Sequence, residues 1–81
     1  MTLTVHLFAR GRELVGADTV AAELPAAATV ADLRRALAAR FPALAGLLER
    51  SAVAVNHDFA EEDRVLSPGD EVAVIPPVSG G

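Results

Sequence analysis

Residues 2–9 alternate between polar and apolar side chains. Leu3, Val5 and Leu7 fall on one side, with Thr2, Thr4, His6 and Phe8 on the other, which predicts a half-buried strand. Residues 10–15 run from polar to apolar and close on Gly16, a pattern for one helical turn with a glycine stop. Alternation returns over residues 19–24, with Val20, Ala22 and Leu24 on one face. Two strands this close predict an antiparallel hairpin with an elaborated turn. The period then changes. Val30, Leu33, Leu37 and Phe41 recur at helical spacing, Thr29 is a good N-cap, and Asp32 places a charge that favours the helix N-terminus. Arg34 and Arg35 lie off that apolar stripe. Pro42 ends the helix by disfavouring helical geometry at Phe41. Residues 43–49 predict a shorter helical piece with Leu44, Leu47 and Leu48 inward.

The remainder reads as strands and turns. Ala52–Val55 is a strand turned by Asn56 and His57, and Phe59 falls on a very short strand after it. Glu61-Glu62-Asp63 is a charged loop, and residues 64–66 are short and extended. Ser67-Pro68-Gly69-Asp70 is a tight turn, because Pro presets its second position and Gly accepts positive φ at the third. Glu71–Ile75 is the last strand, and Pro76-Pro77 ends it because proline cannot donate to a ladder. The order is ββαββ with a minor helix. One main helix cannot cover both faces of a four- or five-stranded mixed sheet. It is expected on one face, giving a two-layer α+β fold of the ubiquitin-like β-grasp kind. Residues 1–77 are expected to form this domain, and residues 78–81 a flexible diglycine tail.

The face away from the helix is not uniformly polar. Phe8 shares a side with Thr4 and His6. With Val72 and Val74 inward, Ala73 and Ile75 face out, and Phe59 stands in an acid-rich stretch. Phe8, Phe59 and Ile75 are candidates for an exposed apolar patch, the usual mark of a partner surface. The alternative is that strand twist or a bulge tucks one or two of them into the core.

Composition removes several chemistries. There is no Cys, and all seven cations are Arg, so thiol nucleophiles, zinc–thiolate sites, phosphate-loop lysines and Schiff-base lysines are absent from this sequence. A net charge of −4 argues against a nucleic-acid footprint. The first nine residues alternate rather than run apolar, and no stretch approaches membrane-spanning length, so a soluble cytoplasmic protein is the expectation. His6 and His57 read as a surface strand residue and a turn residue, without a metal-ligand motif.

The sequence closes Pro76-Pro77-Val78-Ser79-Gly80-Gly81. Read as a free terminus, it puts the chemistry on the α-carboxylate of Gly81. The four residues after Pro77 reach at most ~14 Å when extended. Pro-Pro stiffens the exit, and Gly80-Gly81 pass where a Cβ would clash. A carboxylate must be activated, most simply as an acyl-adenylate, before a nucleophile can replace its oxygen.

With Phe8-Ala9-Arg10-Gly11-Arg12-Glu13-Leu14-Val15-Gly16, Ala54-Val55-Asn56, Gly69-Asp70-Glu71-Val72-Ala73 and the closing hexapeptide, the chain resembles the small sulfur-carrying subunits of molybdopterin synthase. The resemblance covers essentially the whole length. It implies that a ubiquitin-activating-like adenylyltransferase uses ATP and magnesium to adenylate Gly81, and that a sulfur donor converts it to a thiocarboxylate. The tail then enters the large subunit, in a two-plus-two heterotetramer, and sulfur passes to cyclic pyranopterin monophosphate. On this reading the chain is not an enzyme by itself, and it holds no permanent cofactor or metal. Phe8, Arg12, Phe59 and Ile75 would contact the large subunit, with Pro76, Pro77, Val78 and Ser79 leading Gly80 and Gly81 inward. Where this family often carries aromatics before Pro-Pro, this chain has Val74-Ile75. A ubiquitin-like protein modifier, or a carrier for tRNA thiolation or thiazole synthesis, would use the same terminus. An RNA-associated β-grasp module is the reading that the acidic balance disfavours.

Overall fold

The computed structural model describes residues 1–77. The strands are β1 (Thr2–Leu7), β2 (Thr19–Glu23), β3 (Ala52–Val55), β4 (Asp58–Phe59) and β5 (Glu71–Ile75). The helices are α1 (Ala9–Val15), α2 (Val30–Arg40) and α3 (Ala45–Arg50), the last preceded by a 3-10 turn over Pro42–Leu44. The sheet order is β2-β1-β5-β3-β4. The β1–β5 pair is parallel and the other pairs are antiparallel. The last strand in sequence therefore lies at the centre of the sheet, beside the first. This mixed five-stranded sheet with helices on one face is the β-grasp arrangement.

One face of the sheet makes the core. Val20, Val5, Val72 and Val55 form one register row, and Leu7, Val74 and Val53 the next. All except Val20, which is half-buried near the sheet edge, are essentially inaccessible to solvent. Val30, Leu33 and Leu37 of α2 close over them, with Leu44, Leu47 and Leu48 alongside. Phe41 is only half-buried at the C-terminus of α2, with the Arg40 guanidinium 5.1 Å from its ring centre.

The helix ends follow from local chemistry. The Thr29 hydroxyl accepts from the Asp32 N–H, and the Asp32 carboxylate accepts from the Thr29 N–H at 2.9 Å. This reciprocal capping box satisfies two donors that the first turn leaves free. Gly16 caps α1 at φ 79, where its N–H donates to the Arg12 carbonyl at 2.7 Å. A left-handed residue there suits glycine.

One segment differs from the sequence expectation. The first strand stops at Leu7, because α1 begins at Ala9 and runs seven residues rather than one turn. Phe8 keeps extended geometry (φ −132, ψ 155), so it continues the outward side of the strand without pairing. Residues 64–66, expected to be short and extended, contribute one bridge, Thr29 to Val65, and bury Leu66. A lone bridge suffices because Ala28 and Leu66 are already joined by a backbone hydrogen bond at 2.8 Å. Residues 78–81, expected to be a flexible tail, lie outside the described residues.

Candidate functional site: the open face of the sheet

The face opposite the helices carries an apolar groove. Its centre is a register row running across the whole sheet: Thr19, His6, Ala73, Ala54 and Phe59. The next row pairs Ile75 with Ala52, and Phe8 follows Leu7 beside it. Two alanines in mid-row leave a floor of methyl groups between larger side chains. The result is a groove of about 500 Å³, lined by Phe8, Ala54, Phe59, Ala73, Ile75 and the edge of Val72, with His6, His57 and Glu71 as its polar members.

The side chains predicted for this patch do come together here. Phe8 is 47% exposed and Phe59 76% exposed. Ile75 is half-buried rather than freely exposed, since β5 lies between β1 and β3 and its neighbours cover it from both sides. Pro76 is half-buried and Pro77 exposed, so the chain leaves the sheet directly at the groove's Ile75 end. Exposed phenylalanines on a small domain cost hydration free energy, about 25 cal/mol per Å² of apolar surface left in water. A partner that covers the groove recovers it.

The sequence profile of the ThiS family matches residues 5–81. The chain belongs to the ThiS family. It is 45% identical over 83 residues to the molybdopterin synthase sulfur carrier subunit of Escherichia coli (strain K12), covering 98% of this chain and 99% of that protein. The crystal structure of SAMP1 from Haloferax volcanii superposes with a TM-score of 0.88 at 32% identity, over all of both chains. The putative molybdopterin converting factor, subunit 1, from Pyrococcus furiosus gives 0.85 at 34% identity, covering 96% of this chain and 99% of that one.

Arg12 stands apart from the groove of this ThiS-family chain. It projects from α1, 57% exposed, and its Nη1 lies 3.4 Å from Asp18 Oδ1. It is not among the lining side chains.

The two histidines, read from sequence as a surface strand residue and a turn residue, sit at the rim with Glu71 between them. His6 Nε2 lies 3.8 Å from Glu71 Oε1, and His57 Nε2 lies 3.6 Å from Glu71 Oε2. The parity of His6 with Phe8 was a signal in the alternation of β1, but the register that brings Glu71 between two imidazoles was not. The neighbouring turn is held by Asn56, whose Nδ2 donates to Asp70 Oδ1 at 2.9 Å and whose Oδ1 accepts from the Glu71 N–H at 2.9 Å. The Ser67 N–H and the Asn56 amide together hold the Asp70 carboxyl below the usual carboxylate range. Among the described residues no group of three or more potential ligands is placed to hold a metal ion. No helix among them is long and apolar enough to cross a membrane.

Three of the four non-glycine residues with positive φ among the described residues adjoin this site; the fourth, Ala27, does not line it. Ala9, Asn56 and His57 adopt φ of 47, 51 and 74, and each adjoins the groove or its rim. Non-glycine residues rarely take such angles, and strain of this kind collects where a side chain must be aimed.

Proposed function

We propose that this chain is the sulfur carrier of a molybdopterin synthase, with residues 1–77 presenting a tail at residues 78–81. The observation that carries the reading is that Ile75 both lines the groove and ends the strand from which the tail departs. A partner that covers Phe8, Phe59 and Ile75 receives the C-terminal segment without further search. The full-length likeness to a protein named as a sulfur carrier subunit supports the same role.

The chemistry then belongs to Gly81. Its carboxylate oxygen attacks the α-phosphorus of ATP, bound with magnesium on an adenylyltransferase, and pyrophosphate leaves. Sulfur delivered at the hydrosulfide level by a donor attacks the acyl carbon and AMP leaves, so a C–S bond replaces a C–O bond and the thiocarboxylate is free. The thiocarboxylate enters the large subunit, its sulfur bonds to a carbon of cyclic pyranopterin monophosphate, and water cleaves the acyl C–S bond to return the Gly81 carboxylate; two such transfers make the dithiolene. The carrier supplies no acid, base or metal to these steps. Its contribution is positioning: Pro76 and Pro77 fix the exit direction, and Gly80 and Gly81 keep the passage narrow. With no Cys in the sequence, the sulfur is carried on Gly81 itself.

Deleting Gly81 is expected to preserve the fold and abolish sulfur transfer; retained transfer would sink the proposal. Intact mass after incubation with the activating enzyme, ATP and a sulfur donor should rise by the difference between sulfur and oxygen.

A second reading, a protein modifier, is favoured by the likeness to SAMP1, which a second crystal structure from the same organism names small archaeal modifier protein 1. Lacking Lys, this chain cannot build lysine-linked chains on itself. Recovery of covalent conjugates through Gly81, with no large-subunit complex, would select that reading.

A further inference from the structure

The groove has a charged rim that the proposed function leaves unused. His6 from β1, His57 from the β3–β4 turn and Glu71 from the start of β5 are remote in sequence. The structure nevertheless sets one imidazole near each Glu71 oxygen, at 3.8 and 3.6 Å. Glu71 is the one carboxylate among the described residues lining the groove. Its side chain is 58% exposed, and that of His57 89%.

The turn adds an independent observation. Asn56 and His57 form a two-residue hairpin loop with φ of 51 and 74. Loops with both angles positive ordinarily carry glycine at the second position. The chain meets such angles with glycine at Gly16 and Gly69 and with alanine at Ala9 and Ala27, whereas position 57 carries an imidazole. That placement sets the ring beside Glu71 at a backbone cost that glycine would avoid.

We propose that Glu71 receives an arginine or lysine of the docked partner, and that His6 and His57 make this contact pH-dependent. The proposal rests on the reading of the groove as a docking face. It specifies the partner's chemistry: an apolar ridge with a cationic side chain at its edge. A partner covering the groove removes water from around Glu71, and an unpaired carboxylate there opposes docking. A cation on the partner's surface resolves this, and it complements a chain of net charge −4.

Imidazole changes charge between pH 5 and 8. With both rings neutral, the rim carries the single negative charge of Glu71. With both protonated, its charge is +1, and the incoming cation is repelled. Few other charges face the rim. From β2, Thr19 is the register neighbour of His6, and Asp18 beyond it is paired with Arg12. Asp70 precedes Glu71 and is engaged by Ser67 and Asn56. Asp58 follows His57 but pairs with Val55, on the sheet face away from the groove.

The test is the dissociation constant for the molybdopterin synthase large subunit, measured by calorimetry from pH 8.0 to 5.5 at fixed ionic strength. Acidification should weaken binding about tenfold, the sum of two exposed charge contacts. The His6→Asn/His57→Asn double variant should lose that difference. Glu71→Gln should bind more weakly at pH 8.0 and still weaken on acidification, since both imidazoles remain. An equal pH slope in wild type and double variant overturns the proposal, since a shared slope belongs to the partner. Phe59→Ala separates the two levels. If it weakens binding while the double variant keeps the wild-type slope, only the rim proposal fails. If it leaves binding unchanged, or if wild type does not bind at any pH, the docking reading fails and takes the rim with it.

Discussion

Ala54 of β3 and Ala73 of β5 face each other in antiparallel register, and their methyl groups floor the groove between Phe59 and the Phe8–Ile75 side. The depth of the groove depends on both side chains being small. Ala73→Leu fills it from within the sheet. Leucine has open space on that face, so we expect the urea midpoint to change by less than about 0.5 kcal/mol equivalent. Affinity for the large subunit should fall at least about tenfold, because the partner's ridge loses its place. Unchanged affinity, measured by calorimetry beside a stability control, would mean that the floor of the groove is not contacted.

Acid should weaken the fold through two carboxyls. The Thr29 backbone N–H, then its hydroxyl and Arg35, hold Asp32 below its ordinary value; the Ser67 N–H, then Asn56, do the same for Asp70. A carboxyl lowered in the folded state contributes stability that is complete above its unfolded pKa, about 3.9. That contribution is lost as pH falls through the folded value. The urea midpoint should therefore stay level from pH 7 to about 5 on account of these groups and drop below about pH 4. Asp70→Ala should start lower at pH 7 and lose less on acidification. An acid limb of unaltered steepness would refute the assignment of Asp70.

Ala9, the first residue of α1 after the outward Phe8, carries φ 47. Left-handed geometry costs an L-residue roughly 1–2 kcal/mol, and glycine avoids this while losing about 0.4–1 kcal/mol of unfolded-state advantage. Ala9→Gly should thus raise stability by a net of roughly 0.5–1 kcal/mol. Ala9→Val should lower it, since a β-branched residue tolerates that geometry least. If glycine proves destabilising in equilibrium denaturation, the backbone at Ala9 is not strained.

Much of this architecture is written locally. The alternation of Leu3, Val5 and Leu7, the Thr29–Asp32 cap and the glycine stop at Gly16 each lie within one short window, and each formed as its chemistry predicts. The large apolar side chains of the open face were legible for the same reason: parity along a strand places Phe8 and Ile75 outward. What parity lacks is register. Nothing in a local window sets His6 opposite Ala73, because that pairing needs β5 to return beside β1 in parallel. The imidazole–carboxylate rim depends on that return, so it could not be read from two isolated histidines.

Arg34 lies off the apolar stripe of α2, yet it ties α2 to the end of α3 and to the loop at Glu62. Its Nε donates to both Glu62 carboxylate oxygens at 2.9 Å, and its Nη1 donates to the Ser51 carbonyl at 2.7 Å and to the Leu48 carbonyl. Those carbonyls lie at the C-terminal end of α3, where helix geometry leaves acceptors without partners. The side chain is only 20% exposed, so these are sheltered, charge-assisted bonds. Arg34→Ala should cost about 2–3 kcal/mol in equilibrium denaturation, within the range for hydrogen bonds to charged groups. Arg34→Lys should recover less than half, because an ammonium cannot span the carboxylate and the helix end as the planar fork does. Affinity for a partner on the open sheet face should be unchanged in both variants wherever they are folded, since α2 packs on the opposite face. A loss below about 0.5 kcal/mol for Arg34→Ala would show the contacts to be ordinary surface pairs.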